Sequence, residues 1–272
     1  MINTPDWTRP RINVVYPPNS FTEYERWYYE NFEGEQTDRE YLPIFYCGYQ
    51  VNHDYGNDVQ AMYELQSYVD SLPTDKKYYT ISQYDNGVGV DWKGKDVLEF
   101  NMSKKGENMY PLPLIGQPHP YVFNSEKKYL CNFVGGMTHP IRNHALTLKD
   151  KEGYYISFER HDPLEYCKIL SESVFTLCYR GYGINSFRIA EALQYNSIPI
   201  YISDEFIEPH NVRFQSYGCK MTVQQFDEAE LFMSISRGLG LKGDTTTTQV
   251  YQELYTYEGT KDKILKHLLT LK

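Results

Sequence analysis

Apolar positions recur along the chain in short runs whose spacing alternates between that of strands and that of helices. LPIFYCGYQ (42–50), KKYYTISQYD (76–85) and DVLEFNM (96–102) are apolar and aromatic runs bounded by polar turns, which is typical of strands. Between the first two, residues 58–72 carry apolar side chains every three or four positions, which predicts a helix with Asn57 or Asp58 as its cap. Strand, helix and strand in succession predict a parallel layer.

A second succession of the same kind follows a proline-rich stretch. YPLPLIGQPHP (110–120) has four prolines in eleven residues, so it is neither a helix nor a central strand, and we expect an extended crossover between two lobes. Beyond it, the pattern predicts strands at 127–135, 173–179 and 197–203, helices at 139–148 and 186–196, and two helices in the tail.

The pattern therefore predicts an α/β protein of two βα lobes with a cleft between them. We place the N-terminal lobe at residues 1–120, ending in the crossover, and the C-terminal lobe with its final helices at 121–272. Ligands of parallel sheets bind outside the carboxyl ends of the strands, so the turns that follow the predicted strands are where functional residues are expected.

Composition narrows the function classes. The chain has 272 residues and a net charge of −9, which argues against nucleic acid as a partner and requires any anion site to be local. Five scattered cysteines form no C-x-x-C pair, so buried reduced thiols are expected rather than a disulfide framework or a zinc site. No signal peptide or membrane span is visible, which favours a cytoplasmic protein.

The stretch CYRGYGINSFRIAEALQYNSIPIYISDE (178–205) places two arginines around the start of a helix. Partial positive charge and free N–H groups at a helix start favour acidic side chains, whereas this chain has Arg180 before the glycine turn and Arg188 in the first turn. An anionic ligand resolves the conflict, because guanidinium and backbone N–H groups would converge on phosphate oxygens. Gly181 and Gly183 allow close approach of the backbone.

Helical projection puts Glu191 on the same face as Arg188, one turn deeper. A carboxylate there can accept both hydroxyl groups of a ribose while the arginines take its diphosphate. The plain alternative is an exposed ion pair between residues three apart, which contributes little. FVGGMTHPIRNHAL is a second unit of strand, glycines, helix and arginine, with Arg142 in the first turn of its helix.

Two other functions remain open at this point. The motif G-x-G-x-x-S at 181–186 follows a strand and precedes a helix, and Asp204 lies where the ribose-binding acid of an NAD(P)-dependent oxidoreductase belongs. In that scheme Arg188 and Glu191 have no role. The third interpretation is a non-catalytic sugar-binding protein that keeps the fold.

The same stretch resembles the C-terminal signature of exostosin-type glycosyltransferases, which reads roughly C-P-R-G-x-x-x-x-S-x-R-x-x-E-A-x-x-x-G-C-I-P-V. The matching positions are Arg180, Gly181, Ser186, Arg188, Glu191, Ala192, Ile198 and Pro199. Tyr179 stands where proline is usual, and Asn196-Ser197 replace Gly-Cys. KKYLCNFVGG…PIRNHAL and YPLPLIGQPHP resemble two further family segments. The resemblance is good over about 110–205 and faint before it.

The resemblance implies a GT-B-like fold of two facing Rossmann-like lobes, with a nucleotide-sugar donor in the C-terminal lobe, inversion at the anomeric carbon and no required metal. The chain contains no Asp-x-Asp, the usual Mn²⁺ site of the other transferase fold. Short family members of viral and bacterial origin suggest UDP-xylose as the donor, a glycan as the acceptor and a virus-infected host cell as the setting. The donor site is then assigned to Gly135, Arg142, Arg180, Gly181, Tyr182, Gly183, Ser186, Arg188 and Glu191.

Inversion by a single displacement needs a general base near the acceptor hydroxyl. Two loops of the N-terminal lobe qualify, VNHDYGND (51–58) and QYDNGVGVD (83–91). We assign the base to Asp85 or Asp54, with His53 as the next choice. The oligomeric state stays open.

Overall fold

Two separate parallel sheets carry the fold, and each belongs to a different part of the chain. The structure is a computed structural model that describes residues 1–12, 24–34, 37–116, 118–227 and 245–271. Its first unit comprises Met1–Gln117, Pro209–Asn211 and Tyr257–Lys272, and its second comprises Pro118–Glu208 and Val212–Thr256. The predicted α/β class with two parallel sheets is confirmed.

The sheet of the first unit has four parallel strands in the order of the sequence. They are β1 (Glu40–Tyr41), β2 (Lys77–Ser82), β3 (Asp96–Asn101) and β4 (Met109–Pro111). In β2 and β3 every residue after the first is buried, as expected of strands covered on both faces. The proline-rich stretch begins as β4, and Pro111 ends this edge strand, where its missing N–H costs no ladder bond.

Among the described residues, four helices accompany this sheet: α1 (Tyr24–Glu30), α2 (Tyr46–Asn52), α3 (Val59–Ser71) and the C-terminal α9 (Tyr257–Thr270). The helix predicted at 58–72 is confirmed, and its cap is Asp58, whose carboxylate accepts the N–H of Ala61. Helix α9 lies in the first unit, where its Tyr257 ring is 5.3 Å from that of Tyr24. The sequence had assigned it to the second lobe.

The strand predicted at 42–50 is wrong, because most of this run forms helix α2. Residues 46–51 are all buried, and periodicity cannot distinguish a buried helix from a buried strand when every position is apolar or enclosed. Tertiary structure favours the helix, since the buried carboxylate of Glu25 accepts the N–H of Cys47 at 3.1 Å. The loop that contains Asp54 therefore follows a helix.

The sheet of the second unit has five parallel strands, and their order reverses once. They are β5 (Tyr129–Val134), β6 (Tyr154–Ser157), β7 (Ser173–Tyr179), β8 (Ile198–Ile202) and β9 (Cys219–Met221). Their spatial order is β6-β5-β7-β8-β9. The chain places β6 on one side of β5 and then crosses to the other side, where β7, β8 and β9 follow in turn. The switch point of this sheet lies between β5 and β7.

The helices of the second unit are α4 (Asn143–Leu146), α5 (Pro163–Ser171), α6 (Phe187–Gln194), α7 (described over 223–227) and α8 (Thr245–Leu254). Helix α6 confirms the prediction at 186–196. The helix predicted at 139–148 is shorter than expected: a 3₁₀ turn, Pro140–Arg142, capped by the His139 side chain, precedes the single turn α4. Strand β6 and helix α5 were not predicted.

Among the helices formed by the described residues, none combines the length and the hydrophobicity that crossing a membrane requires.

Candidate functional site

The residues singled out in the C-terminal half gather at the switch point of the second sheet. Strand β5 ends at Val134 and leads into Gly135, and β7 ends at Tyr179 and leads into Arg180 and Gly181. The turn after β7 then enters α6. In open parallel sheets this edge, where neighbouring strands lead to opposite sides, is the usual place for a ligand.

Arg188 reaches back from the first turn of α6 to the end of β5. Its Nε donates to the carbonyl of Val134 at 2.6 Å, and its Nη1 lies 3.3 Å from Glu191 Oε2. The guanidinium carbon stands 5.9 Å from the centre of the Phe133 ring and 5.5 Å from that of Tyr166, within the range of cation–π contacts. The residue is thus held from both strand and helix.

Gly135 is required for this arrangement. A Cβ atom on Gly135 would lie 2.5 Å from Nη2 of Arg188, closer than side-chain carbons approach other atoms. A Cβ atom on the neighbouring Gly136 would meet nothing within 4 Å. The first of the two glycines therefore makes room for the guanidinium, and the second does not.

Arg142 lies beside Arg188, its guanidinium carbon 5.8 Å from the centre of the Phe133 ring, and its hydrogen bonds among the described residues go to backbone carbonyl groups. Its Nε, Nη1 and Nη2 donate to the carbonyls of Arg180 at 2.9 Å, Gly136 at 2.6 Å and Tyr179 at 3.4 Å. Burial, and then the charge of Arg188, lower the pKa of Arg142 to about 10. No carboxylate of the described residues forms a salt bridge with it. A buried cation without a counter-charge is unfavourable, and an anion placed beside it would be stabilised.

Gly181 and Tyr182 border the guanidinium group of Arg142. A Cβ atom on Gly181 would lie 3.6 Å from Nη2 of Arg142, so a larger side chain would cover that nitrogen. The side chain of Tyr182 is 77% exposed, which is unusual for an aromatic residue in so buried a region. Ser186 occupies the N-cap position of α6 and is buried, but its side chain makes no capping hydrogen bond.

Arg180 has a different environment from the other two arginines. Its Nη1 forms a salt bridge of 2.5 Å with Asp204, and its other nitrogens donate to the carbonyls of Gly183 and Tyr182. The hydrogen bond from Arg180 lowers the pKa of Asp204. The structure thus satisfies Arg180 within the glycine turn, and it engages the acid that the oxidoreductase interpretation reserves for a ribose.

Three side chains surround the carboxylate of Glu191, and sequence analysis missed two of them. The hydroxyl of Tyr166 donates to Oε2 at 2.5 Å, Arg188 approaches the same oxygen, and Nε2 of His119 lies 3.7 Å from Oε1. Burial raises the pKa of Glu191, but His119 and Arg188 outweigh it and the pKa is lowered. Tyr166 belongs to the unpredicted α5, and His119 lies in the proline-rich stretch, so neither gave a sequence signal.

The base candidates of the first unit lie in two neighbouring loops. The hydroxyl of Tyr84 donates to the carbonyl of Tyr55 at 3.0 Å, which joins the loop of Asp54 to that of Asp85. Asp54 is exposed and has φ of 50°, in the left-handed region. Asp85 is half-buried and accepts from Ser103 Oγ at 3.3 Å.

His53 and Asp58 are engaged with each other in the same region. Their side chains lie 3.5 Å apart, and Asp58 also caps α3. Among the described residues, no group of three or more His, Cys, Asp or Glu side chains is arranged to hold a metal ion.

Comparison with known proteins identifies related sequences. The family model described as "Exostosin GT47 domain" matches residues 41–223, two thirds of the chain. A Caenorhabditis elegans protein named "Exostosin-1 homolog" is 26% identical, over 46% of this chain and 44% of that protein. An Arabidopsis thaliana protein named "Probable glycosyltransferase" is 25% identical, over 44% of this chain and 23% of that protein. The chain thus spans less than half the length of these curated relatives.

Solved structures give a more distant likeness. The structure titled "Crystal Structure of TarM" superposes with a TM-score of 0.41 and 9% sequence identity, covering 76% of this chain and 57% of that one.

Proposed function

Because the chain belongs to the exostosin GT47 family, we propose that it is a glycosyltransferase that moves a sugar from a UDP-linked donor to a hydroxyl group of a glycan. The observation that carries the proposal is Arg142, a buried guanidinium group at the switch point with no carboxylate partner among the described residues. With Arg188 it gives two cations beside one carboxylate, in a chain of net charge −9. A diphosphate supplies the missing negative charge.

Each part of the donor has a proposed partner. Arg142 and Arg188 bind the diphosphate, Gly135 makes room for the Arg188 guanidinium, and Gly181 and Gly183 let the diphosphate approach the backbone near the start of α6. Glu191 accepts from the ribose hydroxyls, and the exposed ring of Tyr182 contacts the nucleotide. Arg180 and Ser186 belong to the turn itself. For Arg180 we propose that it holds the turn in shape through Asp204.

For the reaction we propose a single displacement with inversion. Positive charge from Arg142, Arg188 and the start of α6 stabilises the leaving diphosphate, so that no metal ion is needed. Asp85 or Asp54 removes the proton of the acceptor hydroxyl, with His53 as the next candidate. UDP-xylose is the first donor to test.

A panel of nucleotides in EDTA tests the binding part of the proposal by thermal shift. UDP or a UDP-sugar at 100 times its Kd should stabilise the protein by about 2.7 kcal/mol. The variants Arg188→Ala and Glu191→Ala should weaken UDP binding, and the exposed control Arg160→Ala should not. Stabilisation by NAD(P)H alone would favour the oxidoreductase interpretation, and UDP affinity unchanged in both variants would remove the site assignment.

A transfer assay on the same protein tests the chemistry. UDP-sugars that bind are offered with glycan acceptors in EDTA, and the anomeric configuration of the product is determined by NMR. Transfer should be abolished by Asp85→Asn or Asp54→Asn with UDP binding intact, whereas Asp91→Asn in the same loop serves as control. UDP binding without transfer to any glycan would favour the interpretation as a non-catalytic sugar-binding protein. Transfer that stops in EDTA and is restored by Mn²⁺ would contradict the metal-free mechanism.

A further inference from the structure

A histidine at the start of the second unit packs against the carboxylate that faces the proposed donor site. The side chain of His119 is only 10% exposed, and its Nε2 lies 3.7 Å from Oε1 of Glu191. Its backbone is fixed as well, because the N–H of His119 donates to Gln194 Oε1 at 3.2 Å and its carbonyl accepts from Gln194 Nε2 at 2.8 Å. Gln194 is the last residue of α6, one turn after Glu191.

The surroundings of the ring favour its cationic form. Interaction with the Cys167 thiol, and then with Glu191, raises the pKa of His119 to about 10 against the opposing effect of burial. The rings of Tyr166 and Tyr195 enclose the imidazole at 6.0 and 6.3 Å between ring centres. The other nitrogen, Nδ1, is buried and makes no hydrogen bond of ordinary geometry. Cys167 and Glu191 together therefore favour the protonated ring, and Glu191 supplies the negative charge beside it.

The two oxygens of Glu191 are held from different elements. Oε2 accepts from Tyr166 of α5 and lies close to Arg188, whereas Oε1 has His119 as its neighbour. Without His119 the carboxylate would be fixed at one oxygen only and could rotate about its own axis.

We propose that His119 is a positioning residue, which fixes the orientation of the Glu191 carboxylate so that it can accept from the hydroxyl groups of the donor ribose. The proposal rests on the function proposed above. His119 does not touch the donor in this scheme; it acts through Glu191. A carboxylate accepts from two adjacent hydroxyl groups only when its plane is set, so a carboxylate that is free to rotate should bind the donor ribose less tightly.

The test compares UDP with 2′,3′-dideoxy-UDP, which lacks both ribose hydroxyls, by titration calorimetry. In the wild-type protein UDP should bind more tightly than the dideoxy compound. His119→Gln should weaken UDP about tenfold and leave the dideoxy compound almost unchanged. His161→Gln is the matched control, because His161 is equally buried, pairs with Glu165 at 3.1 Å in the same unit and should leave both affinities unchanged.

A double-mutant cycle with Glu191→Gln separates positioning from a purely structural role. If His119 acts through Glu191, His119→Gln should cause no further loss of UDP affinity in the Glu191→Gln background. Tyr166→Phe removes the donor at the other oxygen while keeping the ring, and it should show the same selective loss if His119→Gln does not fold.

The outcomes separate this inference from the function on which it rests. Equal weakening of both nucleotides by His119→Gln, additive losses in the cycle, or unchanged UDP affinity would overturn the positioning role alone. A wild-type protein that binds neither nucleotide would overturn the proposed function, and the positioning role with it.

Discussion

Three arginines that look alike in the sequence differ in their surroundings. Arg180 is paired with Asp204, and Arg188 is shared between Val134 and Glu191. Arg142 donates to carbonyl oxygens and faces the Phe133 ring, with no salt bridge among the described residues. Sequence spacing placed all three near helix starts, but it could not show which charges are already compensated, because Asp204 comes 24 residues after Arg180. Arg142 emerges as the cation for which an anionic ligand matters most.

The two adjacent glycines after β5 give a residue-scale prediction. Gly135→Ala should push the guanidinium of Arg188 out of place, since the added Cβ would meet it at 2.5 Å, and should weaken UDP binding at least tenfold. Gly136→Ala is the control, as open space surrounds that position, and it should bind UDP like the wild type. Calorimetric titration of both variants gives the answer, and equal affinities would mean that Arg188 is not a donor contact.

At the scale of elements, α2 depends on a partner that is distant in sequence. The carboxylate of Glu25 accepts the N–H of Cys47 at the start of this helix and, at 2.8 Å, the N–H of Gln83 beyond the end of β2. One buried side chain of α1 thus satisfies the backbone of two other segments. This is why residues 46–50 can be helical even though the composition of the run 42–50 is typical of a strand.

Substitution of Glu25 tests this dependence. Glu25→Leu should lower the free energy of unfolding by about 1–3 kcal/mol or more, because it leaves two buried N–H groups without their acceptor. Glu30→Leu, at an exposed position of the same helix, should change it by less than about 0.5 kcal/mol. Urea unfolding followed by circular dichroism measures both, and equal midpoints would show that the carboxylate contributes nothing to stability.

At the scale of the whole molecule, the tyrosines build the two cores. Of the twelve largest fully buried side chains among the described residues, nine are tyrosines. The high tyrosine content of the chain, 27 residues, therefore serves mainly to fill the hydrophobic cores. The first unit also contains the end of the chain, since α9 follows the second unit in the sequence and packs against α1.

The return of α9 gives a prediction for the whole chain. Tyr257→Ala removes a ring that lies 5.3 Å from Tyr24 and 5.2 Å from Trp27, so the free energy of unfolding should fall by about 3 kcal/mol or more. UDP affinity should persist at low temperature, because the proposed donor contacts all belong to the second unit. Tyr63→Ala, at a residue 67% exposed, is the control, and an unfolding midpoint shared by Tyr257→Ala and wild type would contradict the prediction.

The sequence by itself determined the α/β class, most of the strands and helices, the glycine turn and the arginines around it, because these follow from local periodicity and from short motifs. Only the tertiary structure decided that residues 46–50 are helical, that α9 joins the first unit and that His119 and Tyr166 contact Glu191. Those outcomes depend on contacts between residues far apart in the chain, where packing and the pairing of buried polar groups outweigh local preference.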